Sequence, residues 1–231
     1  MYPDLLNLHG ERASVQMLDY IGKLLGIDVE IRRIEDFDDP IAFSELDILM
    51  FLPGEIASFY HLIPALQRQE EELRSFVEKG GYVLALGTSG LIFGKQITRE
   101  DGTVIHGIGL LDLTATERKY VWGDDLYLRV TDDHMELMGC QIMMADVEAA
   151  SPLCQVYYGR GNNHTGTDGA RYRNLIYTNC TGPLFVKNPW FAERILRDIC
   201  PEELPEIPEN AIYTNAENSF RAIKDFLKTK Q

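Results

Sequence analysis

Apolar residues recur at helical spacing over 11–25, where Val15, Leu18, Ile21 and Leu25 share one stripe and Gly26 follows as a stop. Residues 27–31 then alternate, with Ile27, Val29 and Ile31 against Asp28 and Glu30, which predicts a half-buried strand. The stretch 46–52 is more continuously apolar and ends at Pro53-Gly54, so it predicts a second strand. A long helix with a charged outer face is expected over 57–79, its glutamate run at 70–72 facing solvent and Gly80-Gly81 ending it. Residues 82–86 form a short unbroken apolar run, the mark of a strand covered on both faces. After it, Gly87-Thr88-Ser89-Gly90 predicts a tight turn into a short helix reaching Phe93. Strand, helix, strand, helix, strand in this order predicts a parallel sheet with helices on both sides.

The middle of the chain reads differently. Residues 98–130 are rich in Thr, Val, Tyr and Leu, with turn signals at Asp101-Gly102 and Gly123-Asp124, and predict antiparallel hairpins that extend the sheet. Further strands are expected at 153–158 and 174–178, separated by the Gly/Asn-rich loop 159–169, where Gly161-Asn162-Asn163 asks for left-handed turn conformations. Asn188-Pro189 opens a helix that runs to Ile199, with proline in its first turn. A linker at 201–208 and a final amphipathic helix at 209–230 complete the pattern. The expected organisation is one α/β domain over 1–200, with 201–231 forming a linker and a helix packed on that domain.

Composition leaves this picture standing. Of 231 residues, 45% are apolar and 25% charged, enough for a sizeable core. No apolar run approaches the ~18 residues of a membrane span, and Met1-Tyr2-Pro3-Asp4 lacks the features of a signal peptide, so the expected location is the cytoplasm. The formal net charge of −14 repels phosphate backbones and argues against nucleic acid as a partner. Arg160, Arg171 and Arg173 are near enough in sequence to make a local basic patch, or simply a solvated stretch. Cys140, Cys154, Cys180 and Cys200 include no C-x-x-C pair, so zinc and redox motifs are unsupported and reduced core thiols are expected. No metal and no cofactor is expected.

In a doubly wound sheet, sites form beyond the carboxyl ends of the strands. The first such end carries Pro53-Gly54-Glu55, a turn able to aim amides at an oxyanion, although Pro53 itself has no N–H. The second is the turn at Gly87, shaped like a strand-to-helix nucleophile elbow with no side chain at its apex. The third is Asn179-Cys180-Thr181-Gly182-Pro183, where a general base would stand.

Four or five short motifs occur in a familiar order. They are Ile97-Thr98-x-x-Asp101-Gly102-Thr103, Gly107-Ile108-Gly109-Leu110-Leu111-Asp112, Gly159-Arg160-Gly161-Asn162-Asn163 and Thr181-Gly182-Pro183-Leu184 with Asn188-Pro189, preceded by Asp4-Leu5-Leu6-Asn7-Leu8 with Gly10. Together they resemble the cobyric-acid-synthase-type branch of class I glutamine amidotransferases, nearest to the glutaminase subunit of lipid II isoglutaminyl synthase, a cell-wall enzyme that works with a Mur-ligase-like partner. The resemblance runs to about residue 200. It implies a three-layer, flavodoxin-like glutaminase domain with a mostly parallel sheet and an antiparallel hairpin extension. It also implies an elbow cysteine that attacks the glutamine amide, a histidine base, and ammonia passed to a partner.

Carried over by motif, the nucleophile falls at Gly87, counting back from Gly94-Lys95, and the base at Thr181, read from the following Gly182-Pro183. The oxyanion loop falls at Pro53-Gly54-Glu55, and a glutamine-contacting arginine falls near Tyr120. All four depart from the family's pattern. Candidate substitutes for the lost groups are Thr88, Ser89 and Cys180, and the pocket is expected to include Pro53, Gly54, Glu55, Tyr120, Asn162, Asn163 and His164. The plain role of Thr88 and Ser89 is to cap the helix after the elbow. His9 reads as a satisfied pocket residue, and His106 and His134 as surface or turn residues.

Three functions fit this reading. One is a non-catalytic, pseudoenzyme-like subunit that binds and regulates a Mur-ligase-like or other amide-forming, ATP-dependent ligase. The second is an active amidohydrolase or amidotransferase with a Ser or Thr nucleophile. The third is a sensor that binds a small amide or amino acid in the old glutamine pocket.

Overall fold

A computed structural model describes residues 1–200 and 202–229. Pro201, which opens the expected linker, and residues 230–231, at the end of the expected last helix, lie outside the described residues. The chain folds as a mixed α/β structure with parallel and antiparallel sheet pairing.

Helix α1 (Arg12–Leu25) turns Met17, Leu18, Ile21 and Leu25 inward, and Gly26 closes it in the left-handed conformation, with its amide on the carbonyls of Gly22 and Lys23. The expected strand at 27–31 does not pair with any sheet. Val29 packs on a helix instead, its Cγ2 filling the space where a Cβ at Gly22 of α1 would lie, while Ile31 is exposed. Strands β1 (Ile48–Phe51) and β2 (Tyr82–Leu86) pair in parallel. The helix expected over 57–79 is instead a short 3-10 turn, Ile56–Ser58, followed by α2 (Phe59–Gln67) and α3 (Glu70–Glu78). Pro64 removes one helical donor inside α2, and Gln69, at φ −127°, breaks the path while its side-chain carbonyl accepts from the amide of Ile41 at 2.7 Å. The turn after β2 is a 3-10 helix, Gly87–Phe93, buried along its whole length.

The antiparallel region starts with β3 (Gln96–Thr98) and β4 (Val104–His106), joined by the Asp101-Gly102 turn. Two long strands follow, β5 (Leu113–Val130) and β6 (Glu136–Ala149). Gly123-Asp124, expected as a turn, lies inside β5 paired with Ile142 and Gln141. The real turn is at 131–135. Four residues, 118–121, bulge from β5 between the pairs Glu117↔Ala145 and Trp122↔Met143. Strands β7 (Cys154–Tyr158), β8 (Thr167–Asp168), β9 (Ala170–Tyr172) and β10 (Leu175–Thr178) complete the sheets.

One sheet has the order β1-β2-β10-β9, with the first three parallel. The other runs β4-β3-β5-β7-β8, with β6 also on β5. A two-way backbone bridge between Cys140 of β6 and Thr181, just past β10, ties the sheets together. Helices α4 (Leu184–Lys187) and α5 (Pro189–Ile199) pack against α1. The last helix, α6 (Ala211–Lys228), is N-capped by Asn210, whose side chain accepts from Ile212 and Tyr213. β2, with every residue at 1% exposure or less, is the centre of the main core. Burying side chains of this size contributes roughly 1.5–3 kcal/mol each.

Candidate functional site

Parallel β1, β2 and β10 end side by side, so the three turns that follow them converge. Gly87 has φ +57°, the left-handed conformation that lifts an elbow's apex residue above the sheet. A Cβ built on it would lie 3.1 and 3.3 Å from the ring carbons of Pro53 and 3.6 Å from Thr181 Cγ2. The fold therefore gathers Gly87, Pro53 and Thr181 into one place, and the Pro53 ring crowds the space a side chain at 87 would enter.

Next to that apex, the Thr88 hydroxyl donates to the Gly54 carbonyl at 2.5 Å and accepts from the Gly54 amide at 3.0 Å. Both main-chain groups of Gly54, the middle residue of the loop expected to hold an oxyanion, are thus occupied by one side chain. Ser89, fully buried, has its hydroxyl directed at the carbonyls of Phe51 (2.7 Å) and Leu86 (2.9 Å). Neither residue caps the helix that follows, contrary to the sequence expectation, because neither makes a side-chain cap hydrogen bond there. Both hydroxyls instead pin the elbow back onto β1, β2 and the turn after β1.

Thr181, 1% exposed, donates its hydroxyl to the Cys140 carbonyl at 3.0 Å. The Cys140 thiol stands 3.8 Å from that hydroxyl and is half-buried, and a Cβ on Gly182 would meet its sulfur at 2.6 Å. Cys180 is fully buried, and burial pushes its thiol well above the ordinary range, which keeps it protonated and inert. Glu11, also fully buried, reaches across from the start of α1. One carboxylate oxygen accepts from the Gly182 amide, and the other from the Leu184 amide at 3.2 Å and the Ser14 hydroxyl at 2.9 Å. Burial raises the carboxyl of Glu11 above its ordinary value, and these three donors act against the shift.

Leu8 donates to the Pro53 carbonyl at 2.9 Å, so the segment carrying His9 runs along the rim between Pro53 and Gly182. His9 sits at φ +63°, and burial lowers its pKa, favouring the neutral ring.

The remaining expected pocket residues go elsewhere. Glu55 is exposed. Tyr120 stands on the β5 bulge, 73% exposed, with the Lys119 ammonium 5.7 Å from its ring centre, and takes no part in the cluster around Gly87. Its placement near a Gly-Asp turn fails because that turn is strand. Asn163 and His164 have φ +48° and +58° in the 159–169 loop, and His164 is exposed. Asn162 is buried, but as a brace: it donates to the Gly169 carbonyl at 2.6 Å and accepts from the Gly169 amide at 3.0 Å. The same network holds Asp168, fully buried, which accepts from the Thr178 hydroxyl (2.6 Å), the Asn179 side-chain amide (2.9 Å) and the Asn179 main-chain amide (3.2 Å). It thereby fixes the end of β10 just before Thr181. Arg160 pairs with Asp146 at 3.0 Å and Arg171 pairs with Asp132, so these arginines do not form a free basic patch.

No family model matches the chain. Two curated relatives do, both described as "Lipid II isoglutaminyl synthase (glutamine-hydrolyzing) subunit GatD". The protein from Streptococcus pneumoniae (strain ATCC BAA-255 / R6) is 24% identical over 208 residues, covering 85% of this chain and 77% of its own. The protein from Staphylococcus aureus (strain N315) is 25% identical over 215 residues, covering 90% and 88%. The chain is a low-identity homologue of these GatD subunits. A solved glutamine amidotransferase structure shares the fold, with a TM-score of 0.51 at 14% identity over 80% of this chain and 93% of that one. The flavodoxin-like amidotransferase fold expected from the motifs is therefore the observed architecture.

Sequence reasoning missed Glu11, Cys140 and Asp168. Glu11 reads from sequence as an ordinary helix-start carboxylate, and Cys140 lies in a strand that carried no recognisable pattern. Among the described residues, no group of three or more His, Cys, Asp or Glu side chains is placed to hold a metal ion, and no helix is long and apolar enough to cross a membrane.

Proposed function

We propose that this chain is a non-catalytic, GatD-like subunit that binds a Mur-ligase-like or other amide-forming, ATP-dependent ligase and regulates or stabilises it. The observation that carries the reading is the reciprocal bonding of Thr88 to both main-chain groups of Gly54, beside a Gly87 that has no side chain. Glutamine hydrolysis by an elbow enzyme needs a nucleophile, a base and free oxyanion donors. Here the apex is bare, Thr181 offers no imidazole, and the Gly54 amide already has an acceptor. Losing a nucleophile or a base removes several powers of ten in rate, and the groups are lacking together.

The scaffold around them is intact, with the elbow conformation kept at φ +57° and the three strand ends aligned. Retention of such a frame without its chemistry fits selection for a surface. The relatives are named as subunits of an enzyme that acts on lipid II, and we assign this chain the same cell-wall setting, in the cytoplasm. Hydrolysis by Thr88 or Ser89 gains no support from the site, since both hydroxyls engage main-chain groups and neither has an imidazole or carboxylate as partner.

Co-expression with a Mur-ligase-like protein tests the proposal. The expected result is a stable complex whose ligase amidates its substrate when ammonium is supplied and not when glutamine is the sole nitrogen source. Glutamine-dependent amidation by that complex would overturn it.

A further inference from the structure

At the start of β6, four residues before the Cys140 that bridges to Thr181, α5, α6 and the turn between β5 and β6 border an open groove of about 530 Å³. Trp190 and Phe220 line it with their rings edge to face at 5.8 Å, Phe220 also meeting the Tyr127 ring at 5.8 Å and the Lys224 ammonium at 5.6 Å, and Arg129, His134, Met135 and Glu136 complete the lining. This volume lies within the range of small-molecule sites, roughly 300–1,000 Å³.

The polar groups of the groove are unequally satisfied. Both oxygens of Glu136 are held by the Lys224 ammonium, at 3.0 and 2.9 Å, and one also accepts from the Tyr127 hydroxyl. The indole N–H of Trp190 donates to the Glu136 carbonyl at 3.0 Å. Arg129 is the exception. It is the cross-strand partner of Glu136, yet that carboxylate is turned to Lys224. Its guanidinium makes two long contacts, to the His134 carbonyl at 3.3 Å and the Tyr157 hydroxyl at 3.4 Å. A guanidinium has five N–H donors in a planar fork. The other arginines at this end are neutralised, Arg171 by Asp132 and Arg194 by Asp133. In a chain of net charge −14, the unmet capacity of this groove is therefore cationic, donating and beside aromatic rings. His134, at φ +61°, holds the rim in a conformation that non-glycine residues seldom adopt.

We infer that this groove binds a small planar aromatic anion, with its ring on Trp190 and Phe220 and its carboxylate on the Arg129 fork. Aromatic contact with the groove side of these rings and a charge-assisted bidentate bond to Arg129 are the two interactions such a ligand would add, and the Lys224 ammonium over Phe220 adds to the positive field the anion meets. Such a ligand bridges α6 to the β5–β6 turn. Among the described residues of α6 only Ala216 and Leu227 are buried, so occupancy adds a contact to a helix otherwise tied down mainly by its polar bonds to Glu136 and Glu193. The inference does not depend on the amidotransferase site or on its loss of activity.

Calorimetric titration with 2-naphthoate, with the neutral 2-naphthalenemethanol and with acetate tests it, followed by the indole N–H proton signal of Trp190. The expected result is one saturable site for naphthoate, with the alcohol bound at least about tenfold more weakly and acetate not measurably. Arg129→Gln, a change at a partly exposed position, is expected to weaken naphthoate by about tenfold or more while leaving the alcohol unchanged. The Trp190 signal moves on binding, and Trp122→Phe leaves the affinity as it was. No saturable naphthoate binding up to about 10 mM, equal binding of acid and alcohol, or an unmoved Trp190 signal would each overturn the inference.

Discussion

Replacing Thr88 by valine removes one oxygen and leaves a side chain of nearly the same shape. The structure makes the consequence specific. Thr88 is 7% exposed, and its hydroxyl is the partner of both the amide and the carbonyl of Gly54. Gly54 has no room to retreat, since a Cβ on it would meet the Leu5 carbonyl at 2.6 Å and a Leu6 methyl at 2.5 Å. Each buried backbone group left without a partner costs about 1–3 kcal/mol, so Thr88→Val is expected to destabilise by roughly 2–4 kcal/mol. For a domain of this size that lowers Tm by roughly 5–15 °C. Thr88→Ser keeps the oxygen and loses one methyl, a loss of about 1 kcal/mol. Urea denaturation of the two variants, with the slopes compared, measures the difference. A Thr88→Val protein within about 0.5 kcal/mol of the parent would refute the argument that this hydroxyl is a structural lock. A folded, fully stable Thr88→Val protein that had lost an activity would point instead to a catalytic hydroxyl.

Other consequences follow from the same neighbourhood. Gly87→Ala places a Cβ at φ +57° against Pro53, and is expected to cost roughly 1–3 kcal/mol in thermal or chemical denaturation. Asp168→Asn turns an amide N–H toward donors on Thr178 and Asn179, so a loss of about 2–4 kcal/mol is expected, read from the urea midpoint. Burial raises the Glu11 carboxyl above its ordinary value of 4.5, so its share of stability is full below that pH and is lost as pH rises through the higher folded value. Relative to Glu11→Gln, which does not titrate, the parent is therefore expected to lose stability as pH climbs from below 4.5, and then to hold a constant difference. A difference that moved the opposite way with pH would contradict the burial argument.

The parts of the fold governed by burial were plain in the sequence. β2 is an unbroken apolar run because both its faces are covered, and Gly80-Gly81 and Pro53-Gly54 mark ends that the structure keeps. β6 escaped notice because its less buried face still carries Ile142 and Met144, so polar and apolar positions do not alternate. In the false strand at 27–31, Val29 is apolar because it inserts against Gly22 of α1, whereas Ile31 stays exposed. At the site, motif spacing pointed to Gly87, Pro53 and Thr181, which three parallel strands bring together. It could not reveal what side chains do once there. That Thr88 grips Gly54, that Glu11 crosses from α1 to Gly182, and that Asp168 steadies the end of β10 are long-range contacts with no local signature. Tyr120 was misplaced because a Gly-Asp pair reads as a turn, whereas here it lies within a strand whose partner was unseen.

The central claim is that a glutaminase frame is kept here without its chemistry, and ammonia release from L-glutamine tests it most directly. The account predicts that the purified chain, alone and in complex with a Mur-ligase-like protein, releases ammonia no faster than buffer, and that Thr88→Ser and Ser89→Ala leave this unchanged. Saturable ammonia release above the buffer rate would contradict it, and its disappearance in Ser89→Ala would identify the hydroxyl responsible.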